Sequence, residues 1–225
     1  MFSFPRLKSA LAGLALAAAV PAAQASTVFQ FVCINAPFNN ANCPAVATQM
    51  TMTLSDQGSG STLFRFENTG PTASTITAIF LQIGGLLSSL AFQSDSGAGV
   101  DMSVTATPSP SDLPGGGTLT PPFVKTTGAF HVDRASAGGV ANGIDPGEFL
   151  QLLGTRSSGT SHAQLVAAFV TPNLNGVARA GLHVQGIGPA GESDAMISII
   201  PVPAALPLLA SGLLVLGWMA RRRGA

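Results

Sequence analysis

MTMTLSDQGSGSTLFRFEN, residues 50–68, decides the fold class. Met50, Met52 and Leu54 alternate with Thr51, Thr53 and Ser55, a period of two that puts one row of side chains in a core and the other in water. The cluster from Asp56 to Gly60 turns the chain. Phe64 and Phe66 then share one face while Arg65 and Glu67 take the other, so the stretch predicts two half-buried strands joined by a tight turn. Outward from this pair the same signals recur. Strands are expected over residues 27–34, 74–83, 86–92, 100–107, 123–132, 148–153, 177–185 and 195–200. Residues 74–83, rich in Thr and Ile, read as a buried strand. Asn68-Thr69-Gly70-Pro71, Gly84-Gly85, the Pro/Gly/Ser-rich residues 108–122 and the turn-rich residues 133–147 separate them. One short helix is expected in the domain, opened by Ser161 with Gln164 three residues on as a capping box, Leu165, Val166 and Phe169 facing inward. Near ten short strands with Gly/Pro turns predict an all-β chain, an antiparallel β-sandwich with about one short helix.

The two ends have different chemistry. Arg6 and Lys8 precede the apolar residues 11–20, and Ala23-Gln24-Ala25 is a small-x-small cleavage site, so residues 1–25 read as a secretory signal helix and the mature chain begins at Ser26. A signal anchor is the alternative, but the apolar run is too short to span. At the other end, residues 204–220 contain no charge, and 17 residues of helix rise about 25 Å, the short end of what crosses a bilayer core. Trp218 sits one turn before Arg221, Arg222 and Arg223, which stay on the cytoplasmic side. Pro201, Val202 and Pro203 form an extended stalk before this C-terminal transmembrane helix. The chain divides into a signal peptide (1–25), an exported β domain (26–198) and a tail (199–225).

The order Pro-x-Pro, apolar helix, Arg cluster resembles the PEP-CTERM sorting tails of Gram-negative bacteria. It is most similar to the variant reading Val-Pro-Leu-Pro-Ala, which here stands as Ile200-Pro201-Val202-Pro203-Ala204. Val202 occupies the place where the name-giving motif has Glu. The resemblance implies passage through Sec-type export machinery and signal peptidase, then recognition and removal of the tail by an exosortase-like membrane enzyme. Gly143-Ile144-Asp145-Pro146-Gly147-Glu148 and Gly181-Leu182-His183-Val184-Gln185-Gly186 also resemble the ectodomains found ahead of such tails, and no catalytic residue is carried over from them.

Charge is segregated. The formal net of zero places five of ten basic residues in the removable ends and all ten acidic residues between them, so the processed domain carries −5. That balance argues against nucleic acid or anionic lipid as partner. Only 15 of about 175 mature residues are charged, so Ser, Thr, Asn, Gln and Gly must cover the surface. The domain has no Tyr and its only Trp lies in the tail, which weakens both sugar-stacking and base-stacking readings.

Cys33 and Cys43, the only cysteines, flank a loop with Pro37 and four Asn; in an exported chain they predict a disulfide worth about 2–3 kcal/mol. No metal ligand set accompanies them. Gly159-Thr160-Ser161-His162-Ala163 and Gly191-Glu192-Ser193-Asp194-Ala195 approach a nucleophile elbow, but both end in Ala and the chain lacks the parallel sheet that an elbow needs; a helix cap and a hairpin residue are the plainer readings. Residues 186–191 match G-x-G-x-x-G without a following helix and read as a hairpin loop. His131, His162 and His183 are scattered, His183 pointing outward between Leu182 and Val184. Asn142, Asp145 and Glu148, with Asp133, Glu192 and Asp194, could offer oxygens to calcium, but no calcium-loop spacing is present and turn carboxylates are the simpler account. No cofactor or metal is expected.

The expected function is therefore a non-enzymatic, cell-surface or extracellular-matrix protein with a structural or adhesive role. The alternatives are a lectin-like carbohydrate-binding module, with or without calcium, and a secreted hydrolase, which needs Ser161 or Ser193 beside His162 or His183. Extracellular polysaccharide is the expected partner of the β domain.

Overall fold

The computed structural model describes residues 26–34, 40–97, 99–105, 113–123, 129–135, 140–170 and 178–199. The expected signal peptide with its cleavage residues Ala23 and Ala25, the sorting motif Pro201–Ala204, the helix over 204–220 and Arg221, Arg222 and Arg223 lie outside these residues. Among the described residues no helix is long and apolar enough to cross a membrane.

Ten antiparallel strands form: β1 Ser26–Cys33, β2 Met50–Gly58, β3 Ser61–Asn68, β4 Thr75–Gln82, β5 Leu87–Asp95, β6 Met102–Thr105, β7 Phe130–Arg134, β8 Glu148–Arg156, β9 Arg179–Ile187 and β10 Glu192–Ile199. Each falls on or within a few residues of an expected strand. β7 is the exception in length, beginning at Phe130 rather than near residue 123. The layering also differs from a two-sheet sandwich. All ten strands belong to one sheet, in the order β5-β8-β3-β2-β1-β10-β9-β4-β7-β6. The sheet curls until its edges, β5 and β6, approach one another, nearly closing a barrel. Register shifts at Ile76/Ala78, Leu87/Ser89, Phe92/Ser94 and Glu192/Asp194 sharpen the curl, since an extra residue bends the strand that carries it.

The alternation read from residues 50–68 sets the inner face. Met50, Met52, Leu54, Phe64 and Phe66 are fully buried, and they share one core with Phe29, Ile79, Leu81, Leu150, Leu152, Leu182 and Val184 from the strands around them. Helix α2, His162–Val170, closes this core. Its Phe169 ring lies 5.5 Å from Phe29 and 6.4 Å from Phe64. The capping box is formed as expected: the Ser161 amide donates to Gln164 Oε1 (2.8 Å) and the Gln164 amide donates to Ser161 Oγ (3.2 Å). A second helix, α1 Cys43–Ala47, was not expected; Pro44 in its first turn and the disulfide at Cys43 fix its start. That Cys33–Cys43 bond, with Cα atoms 6.1 Å apart, ties the end of β1 to α1.

β4 is a buried strand, as its composition predicted, and it is buried on both faces. The reason is a second, outer core. Ala78, Phe80 and Ala195 on the outer face meet Leu113 and Phe123 from the chain before β7. Arg179 clamps this cover, donating to the Pro121 and Pro122 carbonyls at 2.7 and 2.6 Å and to Gln82.

Candidate functional site

The outer face of β2, β3, β8 and β5 carries a shallow groove of about 390 Å³, lined by Gln57, Gly58, Ser59, Ser61, Leu63, Gln93, Gln151 and Leu153. Strand alternation builds it. Where Thr62, Phe64 and Leu152 turn inward, their neighbours Ser61, Leu63, Gln151 and Leu153 must turn outward. Leu63 and Leu153 are directly paired across β3 and β8, giving the groove an apolar floor. Gln151 stands opposite Ser94, whose hydroxyl donates to its Oε1 at 2.6 Å, so the Gln151 amide nitrogen remains as a donor. Gln93 is the extra residue in the Phe92/Ser94 register shift of β5, which leaves its side chain exposed at the rim.

No lining residue is charged. The nearest cation on this face, Arg65, stands opposite Gln151 and is already engaged: it lies 3.6 Å from the Phe149 ring centroid and 2.7 Å from Glu67 Oε1. The groove is thus a neutral surface of amides and hydroxyls over leucine.

One end is held by a polar chain that runs from the half-buried Asp56 to the buried Thr62 and His162. The turn Gly58-Ser59-Gly60 runs through three consecutive left-handed residues, with Ser59 at φ 46°. Asp56 Oδ1 accepts from the Gly58 amide (3.0 Å) and from Arg156 Nη1 (3.0 Å). The same Arg156 nitrogen donates to the Ser61 carbonyl (2.6 Å) and to Thr62 Oγ1 (2.8 Å). Thr62 Oγ1 lies 3.1 Å from His162 Nδ1 at the start of α2. An arginine can only donate, so Thr62 Oγ1 accepts from it and shares a further hydrogen bond with His162 Nδ1, whose direction follows the tautomer of the ring. The Gly58 amide, with Arg156 beyond it, holds the Asp56 carboxyl below its usual range. Burial pushes the His162 pKa down, and the Arg156 charge adds to it while Asp56 opposes.

The residues singled out for catalysis do not converge here. Ser161 Oγ is engaged with Gln164, and the imidazole beside it in sequence bonds Thr62 instead. Ser193 lies half-buried in β10. His183 is half-buried on the outer face opposite Ala78 and Ala195, its pKa lowered by burial. His131 stacks on Phe80 at 4.7 Å. Gly188 to Gly191 form the β9–β10 hairpin turn, closed by the Gly191 amide on the Gly188 carbonyl (3.2 Å). Among the carboxylates, Glu148 accepts from the Asp145 amide (2.8 Å), Asp145 accepts from Thr75, and Asn142 donates to the Ala135 carbonyl (3.2 Å), so these groups tie turns together. Among the described residues no three His, Cys, Asp or Glu gather as a metal site. Asp194 is buried beside the disulfide loop, its Oδ1 accepting from the Ala195 amide (2.7 Å), and burial raises its pKa.

Sequence reasoning missed the groove. Its residues come from four strands spanning positions 57 to 153, and each glutamine alone reads as an ordinary outward residue. Compared with protein-family models, with curated proteins and with solved structures, the chain finds no match.

Proposed function

We propose that this chain is an exported, exosortase-sorted component of the cell surface or extracellular matrix, with a structural or adhesive role rather than a catalytic one. One observation carries the reading. β1 and β10 are the first and last strands among the described residues. They are antiparallel neighbours with Gln30 opposite Ile199, so the two ends of the described domain emerge at the same pole. A folded body whose two ends emerge on one side suits a domain presented on a membrane stalk and then released from it. The Cys33–Cys43 bond supports the same compartment, since such bonds persist in oxidising surroundings. The outer groove supplies the surface for adhesion.

The test is genetic and topological. In cells that natively make the protein, disrupting the sorting enzyme, or changing Pro201 and Pro203 to Ala, is expected to leave the chain in the inner-membrane fraction. A chain that reaches the surface equally well without the enzyme and without the motif contradicts the proposal.

A further inference from the structure

We infer that the groove between β2, β3, β8 and β5 is a binding site for neutral polysaccharide, engaged through Gln57, Gln93 and Gln151 without calcium. The inference rests on the adhesive reading above and names the ligand class of that surface. A primary amide is the one neutral side chain that both donates and accepts at adjacent atoms, which is the pattern a pair of neighbouring sugar hydroxyls presents. Three such amides converge on one groove, and among the described residues neither Gln57 nor Gln93 is held by another protein group. Leu63 and Leu153 beneath them offer an apolar floor for the C–H face of a pyranose. The volume, about 390 Å³, falls in the range of small-molecule sites, room for a short run of sugar units with the rest of a chain passing out of the open ends.

Charge selects among polymers. Uronic acids, phosphates and sulfates call for a cation, and Arg65, the nearest cation on this face among the described residues, is spent on Glu67 and Phe149. No carboxylate lines the groove, so nothing there would hold a calcium ion between protein and sugar. A peptide strand would add to the free edge of β5 rather than lie over the outer face of four strands.

The full chain, purified in a polyoxyethylene detergent that carries no sugar, is run on native gels containing dextran, galactomannan, hydroxyethyl cellulose or alginate. Retardation by at least one neutral polymer and not by alginate is expected, unchanged by EDTA. The Gln93→Ala/Gln151→Ala double variant is expected to need about tenfold more polymer for the same retardation, the loss of about two hydrogen bonds. Gln30→Ala, on the same face two strands from β3, is expected to behave as wild type. Should the double variant fail to fold, Gln57→Ala alone, at an exposed position, carries the test, with a several-fold loss expected. No retardation by any neutral polymer, equal retardation by alginate, loss on EDTA, or wild-type binding by the folded variants each overturns the inference. Because the assay uses purified chain, its failure leaves the export reading standing, and a failure of sorting in cells leaves the gel result standing.

Discussion

At the residue scale, the most informative group is His162. Its pKa is lowered by burial, so the folded state binds fewer protons than the unfolded one near the ordinary value of 6.5. Stability is then complete above that value and is lost as pH falls below it, because the unfolded ring protonates first. His183 has the same sign, and Asp194, raised by burial, has the opposite one at lower pH, where its protonated form suits the fold. The melting temperature is expected to fall between pH 7.5 and 5.5, and His162→Gln, which can still hydrogen-bond Thr62, is expected to flatten part of that slope. A variant slope identical to wild type would show that His162 does not titrate in this window. Gly181 makes a second case. A Cβ there would lie 2.6 Å from Leu113 on the outer face, so Gly181→Ala must push the cover off β9 or shift Leu113. A loss of about 1–3 kcal/mol in chemical denaturation is expected. Neither residue announced this in the sequence: His162 reads as one scattered imidazole among three, and Gly181 as a glycine in a strand, because the partners lie 100 and 68 positions away.

At the scale of elements, the strands were legible and their layering was not. Period-two alternation marks a strand locally, which is why β2, β3 and the capping box of α2 stand where residues 50–68, Ser161 and Gln164 put them. Whether such strands form two stacked sheets or one curled sheet depends on pairings such as β1 with β10, set between distant parts of the chain. The segment before β7 held a second feature that its composition does not show. Residues 108–122 read as loop, and their described part is one, yet Leu113 in it and Phe123 just after it seal the outer face of β4. Arg179 should hold that seal: Arg179→Ala leaves the Pro121 and Pro122 carbonyls without their charged donor and is expected to cost about 2–3 kcal/mol, with early proteolysis in this segment. Removing the disulfide by Cys33→Ser/Cys43→Ser is expected to cost about 2–3 kcal/mol, read as a lower denaturation midpoint, and the wild-type midpoint is expected to fall to the same value once reductant has opened its bond. An unaffected midpoint in the double variant would mean that the β1–α1 junction is held by packing alone.

At the scale of the molecule, the parts make one argument. A curled ten-stranded sheet buries Phe29, Phe64 and Phe66 inside and carries a groove of Gln, Ser and Leu without charge on the outer face of β2, β3, β8 and β5. Its first and last strands lie side by side, so the two ends of the described domain emerge at one pole. The central claim is that the protein is cut at both ends and delivered outward. It is tested most directly by the intact mass of the mature protein from cells that natively make it, with and without the sorting enzyme. The account predicts loss of residues 1–25 in both cases, and a second cut within Pro201–Ala204 only when the enzyme is present. A mature chain that still ends in Arg223-Gly224-Ala225 with the enzyme present would contradict it, leaving residues 204–220 as a plain anchor.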